Sequence, residues 1–313
     1  MTRVAVTSRS FSKHPVLRAE LLARYDRVTF NDAGLELRGP DLIDYLSGHE
    51  KAITALEPLD AALFKALPDL RVIGKYGVGL DMIDLDAMAE NGVGLGWTGG
   101  INKRSVSELV IAFSIALLRH VPKANAEVLG GTWRQLRGNL LSGRTVGILG
   151  CGHVGKDLAK LLGAFDCTVL AHDRRNFPEF YAEQQVSPIS LETLLSESDI
   201  LSIHLPLDTS TRGLLNAARL STMKNDAILI NTARGDIVDE AALKTMLMDG
   251  QLAAAAFDVF TVEPPDDMEL LHLPNFLATP HIGGSAEEAI LAMGRAAIDG
   301  LDNFGDPHQV AAG

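Results

Sequence analysis

Residues 144–155 read RTVGILGCGHVG, an apolar run that breaks into three glycines, Gly150, Gly152 and Gly155. Glycine occurs at any tight turn, so this spacing is weak evidence by itself. Its surroundings decide the reading. TVGIL runs straight into the glycines, HVGKDLAKLLGAF (153–165) carries apolar residues at helical spacing, and CTVLAHD (167–173) is a second strand that ends in Asp173. In such a strand–turn–helix unit the first glycine makes the turn and the second lets backbone approach a pyrophosphate. The third lets helix and strand pack closely, and the helix start at His153 and Val154 faces the phosphates. Asp173 then accepts hydrogen bonds from the ribose hydroxyls of the adenosine, and a 2′-phosphate there would meet a carboxylate, so NAD is favoured over NADP. Arg174 and Arg175 follow directly; they either turn inward to a phosphate or are solvated surface charge.

Outward from this stretch, the same rhythm runs along most of the chain. RVAVT, RVTF, KAITA, RVIGKY and GVGL alternate with helical stretches such as LRAELLARY and DAMAEN. After a long helical segment, Ser105 to Val121, the strands restart at TVGILG, CTVLAHD, DILSIHL, AILINT, AAAFDVF and FLATPH. Alternation of this kind gives parallel sheets, hence an α/β chain of two doubly wound parallel-sheet domains. A length of 313 residues with 47% apolar content suits two modest cores. VLGGTWRQLRGNLLSG (128–143) reads as an irregular excursion, and the last periodic stretch, AEEAILAMGRAAIDGLDNF (286–304), could pack on either half.

Composition excludes several function classes. The 28 Lys and Arg stand against 40 Asp and Glu, a net charge of −12, and no basic-aromatic stripe is present, so no nucleic acid partner is expected. The first residues lack a long apolar stretch and no run is long and apolar enough to span a bilayer, so the expectation is a cytoplasmic chain with no membrane partner. Cys151 and Cys167 have neither disulfide-framework nor metal-site spacing; no metal is expected, and both read as small buried side chains.

Three further strand ends carry ionisable groups. Arg234 follows a strand in LINTARGDIVDE, Asp258 and Glu263 follow another in AAFDVFTVEP, and His281 follows a third in LATPHIGGSAEEA. Ligands of doubly wound sheets sit outside the carboxyl ends of the strands, so these groups converge where a nicotinamide would lie. Arginine offers a planar fork to carboxylate and carbonyl oxygens, histidine exchanges an alcohol proton near neutral pH, and glutamate orients and stabilises the charged imidazole. Taken singly, Arg234 could pair with Asp236 or Asp239, Glu263 could be an exposed turn residue before Pro264, and His281 could cap a helix near Ser285. Their joint occurrence is what points to interconversion of a 2-oxo acid and a 2-hydroxy acid. His204 in SIHLPL reads as lining the adenine side or as packed structure, and Asp81 and Asp84 as turn and helix-capping residues.

From RVIGKYGVGLDMIDLDA (71–87) to PHIGGSAEEA (280–289) the sequence resembles the D-isomer-specific 2-hydroxyacid dehydrogenases, which include D-3-phosphoglycerate, glycerate/hydroxypyruvate and D-lactate dehydrogenases. The resemblance implies that Arg234, Glu263 and His281 are the catalytic residues. It implies that Asp258 holds the nicotinamide carboxamide, that Ser105 and Thr232 border the cofactor, and that the backbone of Gly77, Val78 and Gly79 cups the substrate carboxylate beside Tyr76. His153, Val154, His204, Pro206 and Ala233 complete the cofactor-binding set. It also implies a Rossmann NAD-binding domain (99–283) inserted in a flavodoxin-like substrate domain (1–98 plus 284–313), closing over a cleft. A homodimer through the cofactor domain, with Trp133 and Arg134 in the contact, is implied as well.

Departures from the family pattern bear on the substrate. Where phosphoglycerate dehydrogenases usually carry an arginine after the third strand, this chain has Leu56 and Glu57, and a carboxylate there would repel a phosphate ester. Lys75, Lys103 and Arg104 are either substitutes or ordinary surface cations. The usual asparagine-threonine-proline before the long helix is replaced by GWTGGIN (96–102), so Trp97 is expected to reshape the cleft near the substrate. No regulatory domain is expected after Gly313. The small-molecule partner is therefore a 2-oxo or 2-hydroxy acid, 3-phosphoglycerate or an unphosphorylated acid such as hydroxypyruvate or glycerate. Two rivals share the fold: an NAD(H)-sensing interaction protein of the corepressor type, and a formate or phosphite dehydrogenase. Glu263 argues against formate, whose enzymes usually carry glutamine opposite the histidine.

Overall fold

Strands whose apolar residues are buried on both faces need helices on both sides, and both sheets of the computed structural model are built this way. It describes residues 2–312. Two compact units result, one holding the chain through Asn102 and again from Ser285, the other running from Lys103 to Gly284.

The first unit contains β1 (Arg3–Val6), β2 (Arg27–Phe30), β3 (Lys51–Thr54), β4 (Val72–Lys75) and β5 (Gly94–Gly96), paired in the order β2-β1-β3-β4-β5 and parallel throughout. This is a flavodoxin-like order. One face buries Leu42, Leu46, Phe64, Ile73 and Met88; the other buries Val4, Val6, Leu17, Leu21 and Leu301. The helix Glu287–Gly300 belongs to this unit and packs on β4 and β5, and a last short helix, Pro307–Ala312, follows it. Glycine makes the approach possible, since a Cβ on Gly96 would lie 2.1 Å from the Gly300 carbonyl oxygen.

The second unit contains β6 (Thr145–Leu149), β7 (Thr168–His172), β8 (Val186–Pro188), β9 (Ile200–Ile203), β10 (Ile228–Asn231), β11 (Ala254–Phe257) and β12 (Phe276–Ala278). Their order is β12-β11-β10-β9-β6-β7-β8, again parallel, with the connection reversing direction between β6 and β9. Alternation along β6 sends Val146 and Ile148 to one core and Leu149 to the other, the second shared with Leu201, Ile203, Leu229 and Phe257. The helix Lys103–Leu118 covers the first of these faces through Val110, Phe113 and Leu117.

Two details differ from the sequence expectation. The long helix stops at Leu118, because His120 adopts a left-handed conformation (φ 55°) and starts a separate helix, Val121–Leu129. Strand β8 was not expected. It is three residues long, lies at the sheet edge and ends in proline, which only an edge position tolerates. Among the described residues no single helix is long and apolar enough to cross a membrane.

Candidate active site

The glycine turn follows β6 at the switch point, where a doubly wound sheet opens its crevice. Gly150 has φ +99°, a conformation that favours glycine, and a Cβ there would meet the His204 carbonyl oxygen at 2.7 Å. Gly155 must also lack a side chain, since its Cβ would fall 2.2 Å from the Gly150 carbonyl oxygen. Gly152 caps the helix His153–Gly163 without any side-chain partner, so the first backbone N–H groups point outward. His153, at that helix start, is held below the usual imidazole range by desolvation and by Lys103, Arg175 and Lys156 around it. Positive charge at this end thus comes from the lysines and arginine.

Asp173 directly follows β7 beside the turn. One carboxylate oxygen accepts from the Cys151 N–H at 2.7 Å and the other from the Arg175 N–H at 2.8 Å. Each oxygen keeps a further lone pair for a ribose hydroxyl. The Arg175 guanidinium stands 3.9 Å from Asp173 and that of Arg174 lies 3.8 Å from Asp208, and both side chains are largely exposed. A dinucleotide suits this cradle: the glycines leave room for it, Asp173 is oriented for it, and the Thr232 hydroxyl, after β10, is buried with no protein partner. His204 lies behind the turn, its Nε2 at 2.8 Å from the Ser202 hydroxyl, and burial pushes its imidazole down to about 3. The imidazole is therefore neutral, and the residue is half-buried. Pro206, just beyond it, accepts from the Thr211 hydroxyl at 2.7 Å.

β10, β11 and β12 are neighbours and parallel, so the three loops after them leave the same edge of the sheet side by side. Asn231 ends β10 with its side chain bonded to the Ala233 N–H and the Arg234 carbonyl, which sets the turn that carries Arg234. The Arg234 guanidinium donates to the Ala233 carbonyl at 2.7 Å, while Asp236 is engaged by Arg212 and Asp239 caps the next helix. Gly235 binds this loop to the next: a Cβ on it would lie 1.9 Å from the Phe260 carbonyl carbon.

The loop after β11 supplies two carboxylates with different tasks. Glu263 accepts from the Phe260 N–H at 3.0 Å and, through its other oxygen, from His281 Nδ1 at 2.9 Å. With Nδ1 carrying that proton, Nε2 is the imidazole atom left to give or take one. His281 itself is left-handed (φ 55°), an uncommon conformation for a residue with a side chain. Asp258, 1% exposed, holds the histidine loop in that shape by accepting from Thr279 Oγ1 and from the Ile282 and Gly283 N–H groups, the last two at 2.7 Å each. Ser105 ties the same loop to the long helix by donating to the Gly283 carbonyl at 2.6 Å. Glu263 and His281 are therefore joined directly, and Arg234 shares their sheet edge.

In the first unit, Tyr76 is buried edge-on against Phe11, and burial raises its phenol above the usual range. Gly77 follows with φ +125°. Lys75 is 4% exposed and donates to the Ala55 carbonyl, so it is no ordinary surface cation. Arg104, of the second unit, clamps Asp157 through two bonds of 2.9 and 3.0 Å and is a structural strap. Asp84 caps the helix Leu85–Glu90 as expected. The strap made by Asp258 was not foreseen, because its partners lie more than twenty positions downstream and are mostly backbone.

Comparison with known proteins follows this geometry. Residues 111–283 match the family model described as D-isomer specific 2-hydroxyacid dehydrogenase, NAD binding domain. A hydroxypyruvate reductase of Thermotoga maritima is 39% identical over 234 residues, covering 73% of this chain and 76% of that protein. A D-3-phosphoglycerate dehydrogenase of Archaeoglobus fulgidus is 38% identical over 249 residues, 79% of this chain but 47% of that protein. The chain thus spans about half the length of that relative. A solved glyoxylate reductase from Paecilomyes thermophila superimposes with a TM-score of 0.85 at 26% identity, covering 95% of this chain and 94% of that one.

Proposed function

The chain belongs to the D-isomer specific 2-hydroxyacid dehydrogenase family, NAD-linked oxidoreductases, and on that footing we propose that it reduces a small, unphosphorylated 2-oxo acid to the D-2-hydroxy acid and runs the reverse oxidation. The observation that carries this reading is the 2.9 Å bond between Glu263 and His281 Nδ1, on a loop fixed by buried Asp258. When bound, the nicotinamide supplies or receives the hydride at C2 of the acid. His281 Nε2 gives the proton to the carbonyl oxygen in reduction and takes it from the hydroxyl in oxidation. Glu263 stabilises the imidazolium that exists between these events. Arg234 forks onto the carboxylate and carbonyl oxygens, and the backbone of Gly77 to Gly79 receives the carboxylate. Gly150, Gly152, Gly155, Asp173 and Thr232 hold the cofactor, with Asp258 reaching its carboxamide.

The unphosphorylated class is favoured by the loop after β3. Leu56 is 74% exposed there, and the Glu57 carboxylate, bonded to the Ala55 N–H at 2.6 Å, puts negative charge where a phosphate ester would need a cation. A homodimer through the second unit is favoured by its exposed apolar residues Val121, Val128, Leu129 and Trp133 and by a groove that Ile115, Val121 and Val128 line. The test is the absorbance of NADH against a panel of hydroxypyruvate, glyoxylate, pyruvate and 3-phosphohydroxypyruvate. Rapid loss with the unphosphorylated acids is expected; turnover of the phosphorylated one alone would reverse the substrate assignment.

A further inference from the structure

Trp97 stands immediately after β5, in GWTGGIN, and its half-buried ring packs on the core that contains Leu59, Ile83 and Leu95. Packing accounts for the ring but not for its polar edge. The indole Nε1–H donates to the carbonyl oxygen of Val78 at 3.2 Å. Val78 lies in the turn after β4, between Gly77, which takes the left-handed φ of +125°, and Gly79. Among the described residues the N–H groups of Gly77, Val78 and Gly79 donate to no protein group. The turn therefore presents free donors and is anchored by a carbonyl.

Peptide geometry connects the two facts. The Val78–Gly79 bond is trans, so the Gly79 N–H points opposite to the Val78 carbonyl in one rigid plane. An indole that fixes the carbonyl fixes the N–H as well, directed away from the ring. We propose that Trp97 is a positioning residue for the carboxylate-binding turn: its N–H holds the Val78–Gly79 peptide so that the Gly79 N–H is preset toward the carboxylate of the 2-oxo acid. In this role Trp97 acts through the peptide and needs no contact with the substrate. A donor held in place beforehand loses no freedom when the anion arrives, which is where preorganisation gains its effect. The proposal rests on the dehydrogenase reading above.

The test compares wild type with Trp97→Phe, which keeps an aromatic ring and removes the N–H, and Trp97→His, which returns a ring N–H. Kinetics are measured with NADH on the best 2-oxo acid of the panel and on its primary amide, which lacks the carboxylate. A charge-assisted hydrogen bond lost or misdirected corresponds to roughly tenfold, so Trp97→Phe should raise KM for the acid about tenfold. kcat and the NADH Kd should stay within about threefold, the amide should be barely affected, and Trp97→His should recover part of the loss. An unchanged KM for the acid, or equal losses on acid and amide, would overturn the proposal. If Trp97→Phe fails to fold, amide exchange of the wild type decides: a non-reactive 2-oxo acid analogue must slow exchange at Gly79, and no slowing overturns the idea. A wild type inert toward every 2-oxo acid would remove the dehydrogenase reading itself, whereas active wild type with an indifferent Trp97→Phe removes this inference alone.

Discussion

At the scale of single residues, the proposed chemistry rests on the hydrogen bond that joins Glu263 to His281. Nδ1 donates to the carboxylate at 2.9 Å, which in the proposed mechanism leaves Nε2 for the substrate. Glu263→Gln keeps an oxygen in place and removes the charge. Steady-state kinetics should show kcat lower by at least about 100-fold with the NADH affinity kept, since an amide in place of the carboxylate that orients a proton-transferring imidazole can cost up to about 10⁴-fold; wild-type kcat in this variant would mean that orientation alone suffices. Residue identities here were legible because arginine, glutamate and histidine each follow a recognisable strand. Asp258 was legible only as a strand-end acid. Its three bonds to Thr279, Ile282 and Gly283 depend on the path of the chain after β12, which no local pattern encodes. For Lys75 the choice between substitute and surface cation stayed open for a related reason: nothing local shows that a lysine at this strand end is buried and donates to the Ala55 carbonyl.

Among the elements, the loops after β10, β11 and β12 act as one block. Gly235 is where the first meets the second, with no space for a methyl group against the Phe260–Thr261 backbone. Gly235→Ala must push the Arg234 loop away from the Glu263 loop, and overpacking of this kind typically costs about 1–3 kcal/mol. Expected is a folded protein by circular dichroism whose kcat/KM for the 2-oxo acid falls at least tenfold, because Arg234 moves relative to the acid–histidine pair; an unaltered kcat/KM would show that the loops are independent. The glycine turn after β6 needed no structure to be read, since each glycine answers a separate steric demand: the left-handed turn at Gly150, the open helix start at Gly152, the backbone contact at Gly155. β8 escaped because three residues are too few to show alternation, and its proline removes the usual strand signature.

For the whole molecule, one unit carries the glycine turn and the Glu263–His281 pair, and the other carries the turn with free amides at Gly77 to Gly79. That the two sheets would be parallel and doubly wound followed from strand–helix alternation, and their strand orders are the flavodoxin-like and dinucleotide-binding ones. The side chain of the substrate is less legible, because the positions proposed to bear on it, Leu56 and Glu57, lie in a loop and not in the periodic elements. The central claim is that His281 moves the proton while the cofactor site stands apart from it. Its most direct test is NADH oxidation by the purified His281→Ala protein, alongside NADH binding followed by fluorescence. The account predicts an NADH Kd within about twofold of wild type and a kcat lower by at least ~100-fold; wild-type turnover by this variant would contradict it.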